Sequence, residues 1–61
     1  MKIGVDIMGG DFAPQKTVQG AILALNEISN NTKLVLFGNQ TEIIAELNAN
    51  NFDAEKFEIV N

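Results

Sequence analysis

Four consecutive apolar residues, Leu34–Phe37, lie between two segments whose apolar residues have helical spacing. A short continuous apolar run that ends at a glycine, here Gly38, is typical of a strand buried on both faces of a parallel sheet. Parallel strands are joined by crossover connections, which are usually helices. The run therefore favours an α/β fold in which strands and helices alternate.

The segment before this run predicts a first strand and a first helix. Residues 2–7 alternate between apolar and other side chains, which is the pattern of a strand with one apolar face. From Pro14 to about Ser29 the apolar residues recur at helical spacing, and proline suits the first helical position because it lacks an N–H. Ala13 would then occupy the cap position.

The segment after the run predicts a second helix and a third strand. Asn39 and Glu42 stand at capping-box spacing and open a helix that continues to about Ala49. A short polar connection then leads to a strand at Phe57–Val60. The resulting order, β-α-β-α-β, predicts a three-layer, Rossmann-like α/β fold with a mainly parallel sheet and right-handed crossovers.

Length and composition suggest that these elements are part of something larger. A chain of 61 residues buries a small fraction of its surface, and without cysteine or histidine it has neither disulfides nor a histidine–cysteine metal site to stabilise it. Three strands and two helices also cannot cover both faces of such a sheet. We therefore expect residues 1–61 to be the N-terminal part of a single larger α/β domain.

Charge and hydropathy argue against two classes of partner. The net charge of −4, with four scattered lysines, disfavours a nucleic-acid surface. The longest apolar run, Ala21–Leu25, is far shorter than the roughly 20 residues that span a bilayer, and the N-terminus lacks a secretory signal pattern. We expect a cytoplasmic protein.

The loops that follow the first two strands are the candidate binding site. Ligands of open parallel sheets bind beyond the carboxyl ends of the strands, where Met8, Gly9–Gly10 and Asp11 follow the first strand and Gly38–Asn39 follow the second. Both loops should face the same side. Because neither Gly9 nor Gly10 has a Cβ, their amides could approach an anion closely.

The start of the first helix adds to this expectation. Alanine at position 13 has no side chain with which to cap, so the amides of Gln15, Lys16 and Thr17 are predicted to be free. Free amides at a helix N-terminus favour anions such as phosphate.

Each of these residues also has a purely structural interpretation. The glycine pair could be a tight turn, Asp11 a helix cap, Met8 a packing residue, Gly38 a strand end and Asn39 a helix cap. The loop matches neither the Walker A pattern nor the dinucleotide fingerprint. With no histidine or cysteine present, the residues offer no nucleophile–base pair.

Asp6 and Asp11 place two carboxylates next to the proposed anion site, and like charges repel. These side chains could accept hydrogen bonds from loop amides, pair with lysine or arginine of a longer chain, hold a magnesium ion, or act as acid or base. The residue pattern leaves these four roles open.

The motif Asp-x-Met-Gly-Gly-Asp-x-Ala-Pro, at Asp6–Pro14, resembles the start of the PlsX family of bacterial phosphate acyltransferases, and the segment Lys33–Asn39 continues the likeness. The resemblance implies a homodimeric enzyme, related in fold to isopropylmalate dehydrogenases and phosphotransacetylases. It would transfer a fatty acyl group from acyl carrier protein to inorganic phosphate for phospholipid synthesis. It also implies a cytoplasmic protein loosely associated with the membrane surface, and it calls for neither a cofactor nor a metal.

Carried onto this chain, the resemblance places Asp6 and Asp11 in catalytic positions and Gly9 and Gly10 at the phosphate. Many members of the family have histidine where this chain has Phe12, so an imidazole at that position cannot transfer protons here. Two other functions fit the residues: a magnesium-dependent phosphotransfer or phosphate-ester enzyme, and a non-catalytic anion-binding fragment.

Overall fold

The computed structural model describes all residues, Met1–Asn61. Five regular elements alternate along the chain: β1 (Lys2–Asp6), α1 (Gln15–Glu27), β2 (Lys33–Phe37), α2 (Gln40–Ala49) and β3 (Glu58–Val60). The strands form one sheet in the order β1-β2-β3, and both pairs are parallel. The predicted parallel α/β architecture with a β-α-β-α-β order is confirmed.

The start of α1 differs from the prediction. Pro14 is the N-cap residue, with φ −89° and ψ −3°, and the first helical residue is Gln15, so the placement of Pro14 inside the helix and of Ala13 at the cap was wrong. Residues 11–14 form a turn that runs directly into the helix. The helix is therefore entered from a turned backbone and not from an extended residue.

Other boundaries shift by a few residues. The first strand ends at Asp6, although the Ile7 amide still donates to the carbonyl oxygen of Phe37 at 3.0 Å. The helix α1 ends at Glu27 because Ile28 is extended. The predicted polar connection contains a short 3₁₀ turn, Ala54–Lys56, after which Phe57 is buried just ahead of β3.

The core lies on one face of the sheet, between the strands and both helices. Leu34 and Leu36 point into it from the central strand. The other buried members come from the helices and the loops beside them: Ile7, Val18, Ala21, Ile43, Leu47 and Phe57. Two crossovers of the same hand that step across a sheet in the same direction place their helices on the same face. The described residues thus form two layers.

The opposite face of the sheet carries Gly4, Val35, Phe37 and Val60. Phe37 packs across Gly4, where an ideal Cβ would lie 2.8 Å from Phe37 Cε2. Val35 is only 6% exposed, so β2 is buried at three consecutive positions, Leu34–Leu36, as its apolar run predicts. Neither helix is long and apolar enough to cross a membrane.

Candidate active site

The β1–α1 and β2–α2 loops meet at the carboxyl edge of the sheet, as predicted. The contact is made by Met8 and Gly38: an ideal Cβ on Gly38 would lie 2.6 Å from Met8 Cγ. Gly38 has φ +154°, a conformation that side chains rarely adopt, and its amide donates to the Val60 carbonyl oxygen at 3.1 Å. The absence of a Cβ at Gly38 therefore lets one loop rest on the other.

Asp6 lies at the start of the β1–α1 loop and shapes it. Its Oδ1 accepts a hydrogen bond from the Met8 amide at 3.1 Å, and its Oδ2 would be 3.2 Å from a Cβ on Gly9. The chain therefore makes a tight turn over the Asp6 carboxylate, which accepts a hydrogen bond from an amide just after the strand. Of the four roles left open for this aspartate, acceptance of a loop hydrogen bond is the one present in the structure.

The middle of the loop makes no hydrogen bonds to the rest of the chain. The amides of Gly9, Gly10 and Asp11 donate to no protein acceptor, and all three residues are exposed. Gly10 has φ +93°, and no atom lies within 4 Å of the position that its Cβ would occupy. These amides are accessible to an anion, and the space beside Gly10 is open.

The helix N-terminus agrees with the prediction in part. No side chain caps α1, and the amides of Gln15 and Thr17 donate to no protein acceptor. The amide of Lys16, however, donates to the Phe12 carbonyl oxygen at 3.0 Å, so its prediction as a free amide was wrong. The turn that leads into the helix supplies this acceptor, because it brings Phe12 four residues behind Lys16 in helical fashion.

Asp11 and Phe12 are both exposed residues of the loop. Asp11 forms neither a hydrogen bond nor an ion pair, and it does not cap α1. The Phe12 side chain is 73% exposed. No group of three or more potential metal ligands comes together in the structure.

Asn39 serves as a helix cap. Its Oδ1 accepts a hydrogen bond from the Glu42 amide at 3.0 Å, which satisfies one free amide of α2. The neighbouring amide of Gln40 donates to Asn61 Oδ1 at 2.8 Å. The amide nitrogen is the donor group of the Asn39 side chain that remains for an anion. A role in binding for Met8, Gly9, Gly10, Gly38 and Asn39 stays a prediction.

Thr17 is a residue of this region to which sequence reasoning gave only a backbone role. Its hydroxyl hydrogen-bonds to the carbonyl oxygen of Ile7 and lies 3.1 Å from that of Pro14. The bond to Ile7 joins the first turn of α1 to the end of β1, ten residues earlier. The only feature of the sequence that could have indicated this role is a threonine near the start of the helix that follows the glycine-rich loop.

The one surface cleft lies elsewhere, at the amino-terminal edge of the sheet. It has a volume of about 340 Å³ and is lined in part by Ser29, Lys33 and Lys56. The two lysines lie near the carboxyl end of α1, where positive charge is favourable. This cleft is separate from both loops of the candidate site.

Comparison with known proteins decides the family. The chain matches the family described as "Fatty acid synthesis protein" over residues 1–61, its entire length. The chain belongs to this fatty acid synthesis family. Two similar proteins are the phosphate acyltransferases of Fusobacterium nucleatum, 46% identical over 61 residues, and Clostridium tetani, 43% identical over 60 residues.

The family resemblance seen in the Asp6–Pro14 motif is thereby confirmed. The alignments cover 100% and 98% of this chain, but in both cases only 18% of the relative. The chain thus spans about a fifth of the length of these family members. No solved structure shows a significant match to it.

Proposed function

We propose that this member of the fatty acid synthesis family contributes the phosphate-binding loop of an acyltransferase. The enzyme would transfer a fatty acyl group from acyl carrier protein to inorganic phosphate and so form an acyl phosphate for phospholipid synthesis. The observation that carries the proposal is the stretch Gly9–Asp11, whose exposed amides make no internal hydrogen bonds at the carboxyl edge of a parallel sheet. Relatives over the same residues are named phosphate acyltransferase.

The loop suits an anionic nucleophile. In the proposed reaction a phosphate oxygen attacks the carbonyl carbon of the acyl thioester, and a C–O bond forms as the carbonyl becomes a tetrahedral oxyanion. The C–S bond then breaks, and the carrier thiolate leaves and takes the proton that the phosphate gave up. Amides of Gly9 and Gly10 would hold the phosphate in position, and the amide of Asp11 would add a third donor.

The carboxylates of Asp6 and Asp11 would contribute by shaping the loop and by attracting positively charged groups. Asp6 holds the Met8 amide and so determines where Gly9 and Gly10 lie. Asp11, which has no partner within these residues, would orient a lysine or arginine from another part of the protein. A phenylalanine at position 12 leaves proton transfer to the substrates or to groups elsewhere.

The remaining parts of the proposal concern the whole protein. We propose that it forms a homodimer, uses acyl carrier protein as acyl donor, needs no cofactor, and acts in the cytoplasm at the inner surface of the membrane. Size-exclusion chromatography with light scattering tests the dimer, and sedimentation with anionic lipid vesicles tests the membrane contact.

The enzymatic proposal is tested on the full-length protein with acyl carrier protein that carries a long acyl chain. Free carrier thiol and acyl phosphate, trapped as the hydroxamate, should appear in equal amounts and only when phosphate is added. Gly10→Val should abolish both products, because the side chain would occupy the space beside the loop. Gly20→Val is the matched control, since Gly20 is an exposed residue of α1 with open space around it.

Three results would overturn the proposal. The first is a wild-type enzyme that forms no acyl phosphate. The second is full activity in a folded Gly10→Val variant, which would reject the loop assignment. The third is loss of activity in the presence of a chelator, which would favour the magnesium-dependent phosphotransfer enzyme instead.

A further inference from the structure

We infer that Thr17 is a positioning residue for the phosphate loop, and that its hydroxyl, through the carbonyl oxygen of Ile7, holds Gly9 and Gly10 where their amides can bind an anion. This inference rests on the proposed function. It goes beyond that function because it assigns a specific task to a side chain that belongs to neither the motif nor the loop.

The first observation is the position of the bond. The Thr17 hydroxyl hydrogen-bonds to Ile7 across the whole β1–α1 loop, in a partly buried setting. Gly9 and Gly10 both lie between the two residues that this hydrogen bond joins. Since Gly9, Gly10 and Asp11 form no hydrogen bonds of their own, the loop is fixed only by the contacts around it.

The second observation is that the Ile7 carbonyl depends on this donor. Ile7 is fully buried, and no backbone amide donates to its oxygen. The Pro14 carbonyl, by contrast, also accepts from the Val18 amide at 2.9 Å. A hydroxyl has one proton to donate, so Ile7 is the partner for which Thr17 is needed.

The third observation concerns the other hydrogen bonds of the loop. The Asp6 carboxylate fixes the Met8 amide, and the Lys16 amide binds the Phe12 carbonyl. Each of these contacts closes a local turn of five residues or fewer. The Thr17 contact is the only hydrogen bond that joins the two ends of the loop, so its loss would let the two local turns shift relative to each other.

The test compares three variants of the full-length enzyme. Thr17→Val keeps the shape of the side chain and removes the donor, and it should raise the KM for phosphate by about 10-fold or more, the order expected when binding groups are misplaced by a fraction of an ångström. The KM for the acyl donor should stay unchanged. Thr17→Ser keeps the donor and should stay close to wild type.

Val18→Ala is the matched control for general destabilisation. Val18 is the next residue of α1 and is fully buried in the core, and Val18→Ala keeps the backbone amide that donates to the Pro14 carbonyl. This variant should lower the melting temperature at least as much as Thr17→Val and leave the KM for phosphate unchanged. An equal rise of that KM in both variants would show that Thr17 acts only through stability, and would overturn the inference.

A second measurement does not depend on turnover. In the wild-type protein, added inorganic phosphate should shift the amide resonances of Gly9 and Gly10, and in Thr17→Val the same shifts should need about 10-fold more phosphate. Unshifted wild-type resonances would overturn the inference even if the enzyme is active. Wild-type shifts without acyl transfer would reject the proposed function alone.

If Thr17→Val does not fold, Thr17→Cys takes its place. A thiol is a much weaker donor than a hydroxyl, so the KM for phosphate should rise above that of wild type. A folded Thr17→Cys enzyme with a wild-type KM for phosphate would overturn the inference.

Discussion

Met8 packs directly over Gly38, and this contact is what joins the two loops of the candidate site. The fit leaves no room for a side chain at position 38, where an ideal Cβ would lie 2.6 Å from Met8 Cγ and 3.3 Å from Ile43 Cδ1. Met8 remains 37% exposed, so it covers Gly38 from the solvent side. The relative position of the two loops therefore depends on the smallest residue of one and a flexible residue of the other.

Substitution of Gly38 by alanine should destabilise the protein and displace the first loop. The added methyl group must push Met8 aside in a backbone conformation that alanine rarely adopts, which should lower the free energy of unfolding by about 1–3 kcal/mol. Urea denaturation followed by circular dichroism measures this change. Gly20→Ala is the control and should raise the free energy of unfolding by about 0.5–1 kcal/mol, because Gly20 is helical and has open space around it. Equal stability of Gly38→Ala and wild type would contradict the packing described here.

Two substitutions of Asn39 separate its capping role from binding. Asn39→Ala removes the acceptor of the Glu42 amide and should cost about 0.5–2 kcal/mol of stability. Asn39→Asp keeps an acceptor oxygen and should retain the stability, while its negative charge should raise the KM for phosphate if the side chain lies at the anion. Denaturation curves measure the stability, and initial rates at varied phosphate concentration measure the KM. An unchanged KM in Asn39→Asp would remove Asn39 from the list of binding residues.

Asp6 is predicted to have a structural role and a charge-dependent role, and two variants distinguish them. Asp6→Ala loses the hydrogen bond to the Met8 amide and should lower the free energy of unfolding by about 0.5–1.5 kcal/mol. Asp6→Asn keeps the acceptor oxygen and should fold with nearly normal stability, yet lose acyl phosphate formation because the charge that orients cationic groups is gone. A fully active Asp6→Asn enzyme would limit this residue to shaping the turn.

Much of the fold could be predicted because its determinants are local. The continuous apolar run at Leu34–Phe37 and the helical spacing on either side predict the alternation of elements, and the spacing of Asn39 and Glu42 predicts the start of α2. Placement of both helices on one face depends on the strand order, which is set by packing between distant segments. A periodic pattern contains no information about which strand lies beside which.

In the candidate site, too, the local features could be predicted from the sequence and the contacts between distant residues could not. The glycine pair, the two aspartates and their position at a strand end could be predicted from a motif of nine residues. The hydrogen bond between Thr17 and Ile7 and the contact of Met8 with Gly38 could not, since each joins residues that are ten or more positions apart. The prediction for the Lys16 amide was wrong because residues 11–14 form a turn, which brings the Phe12 carbonyl oxygen to this amide.

The hydrogen bonds that hold the β1–α1 loop indicate which of its positions can vary. They use the Asp6 carboxylate, backbone groups and the Thr17 hydroxyl, all located at the two ends. The side chains of Asp11 and Phe12 take no part, and both residues are exposed. Within these residues, position 12 can therefore be exchanged without loss of any of these hydrogen bonds, so its chemistry is free to differ while the loop keeps its shape.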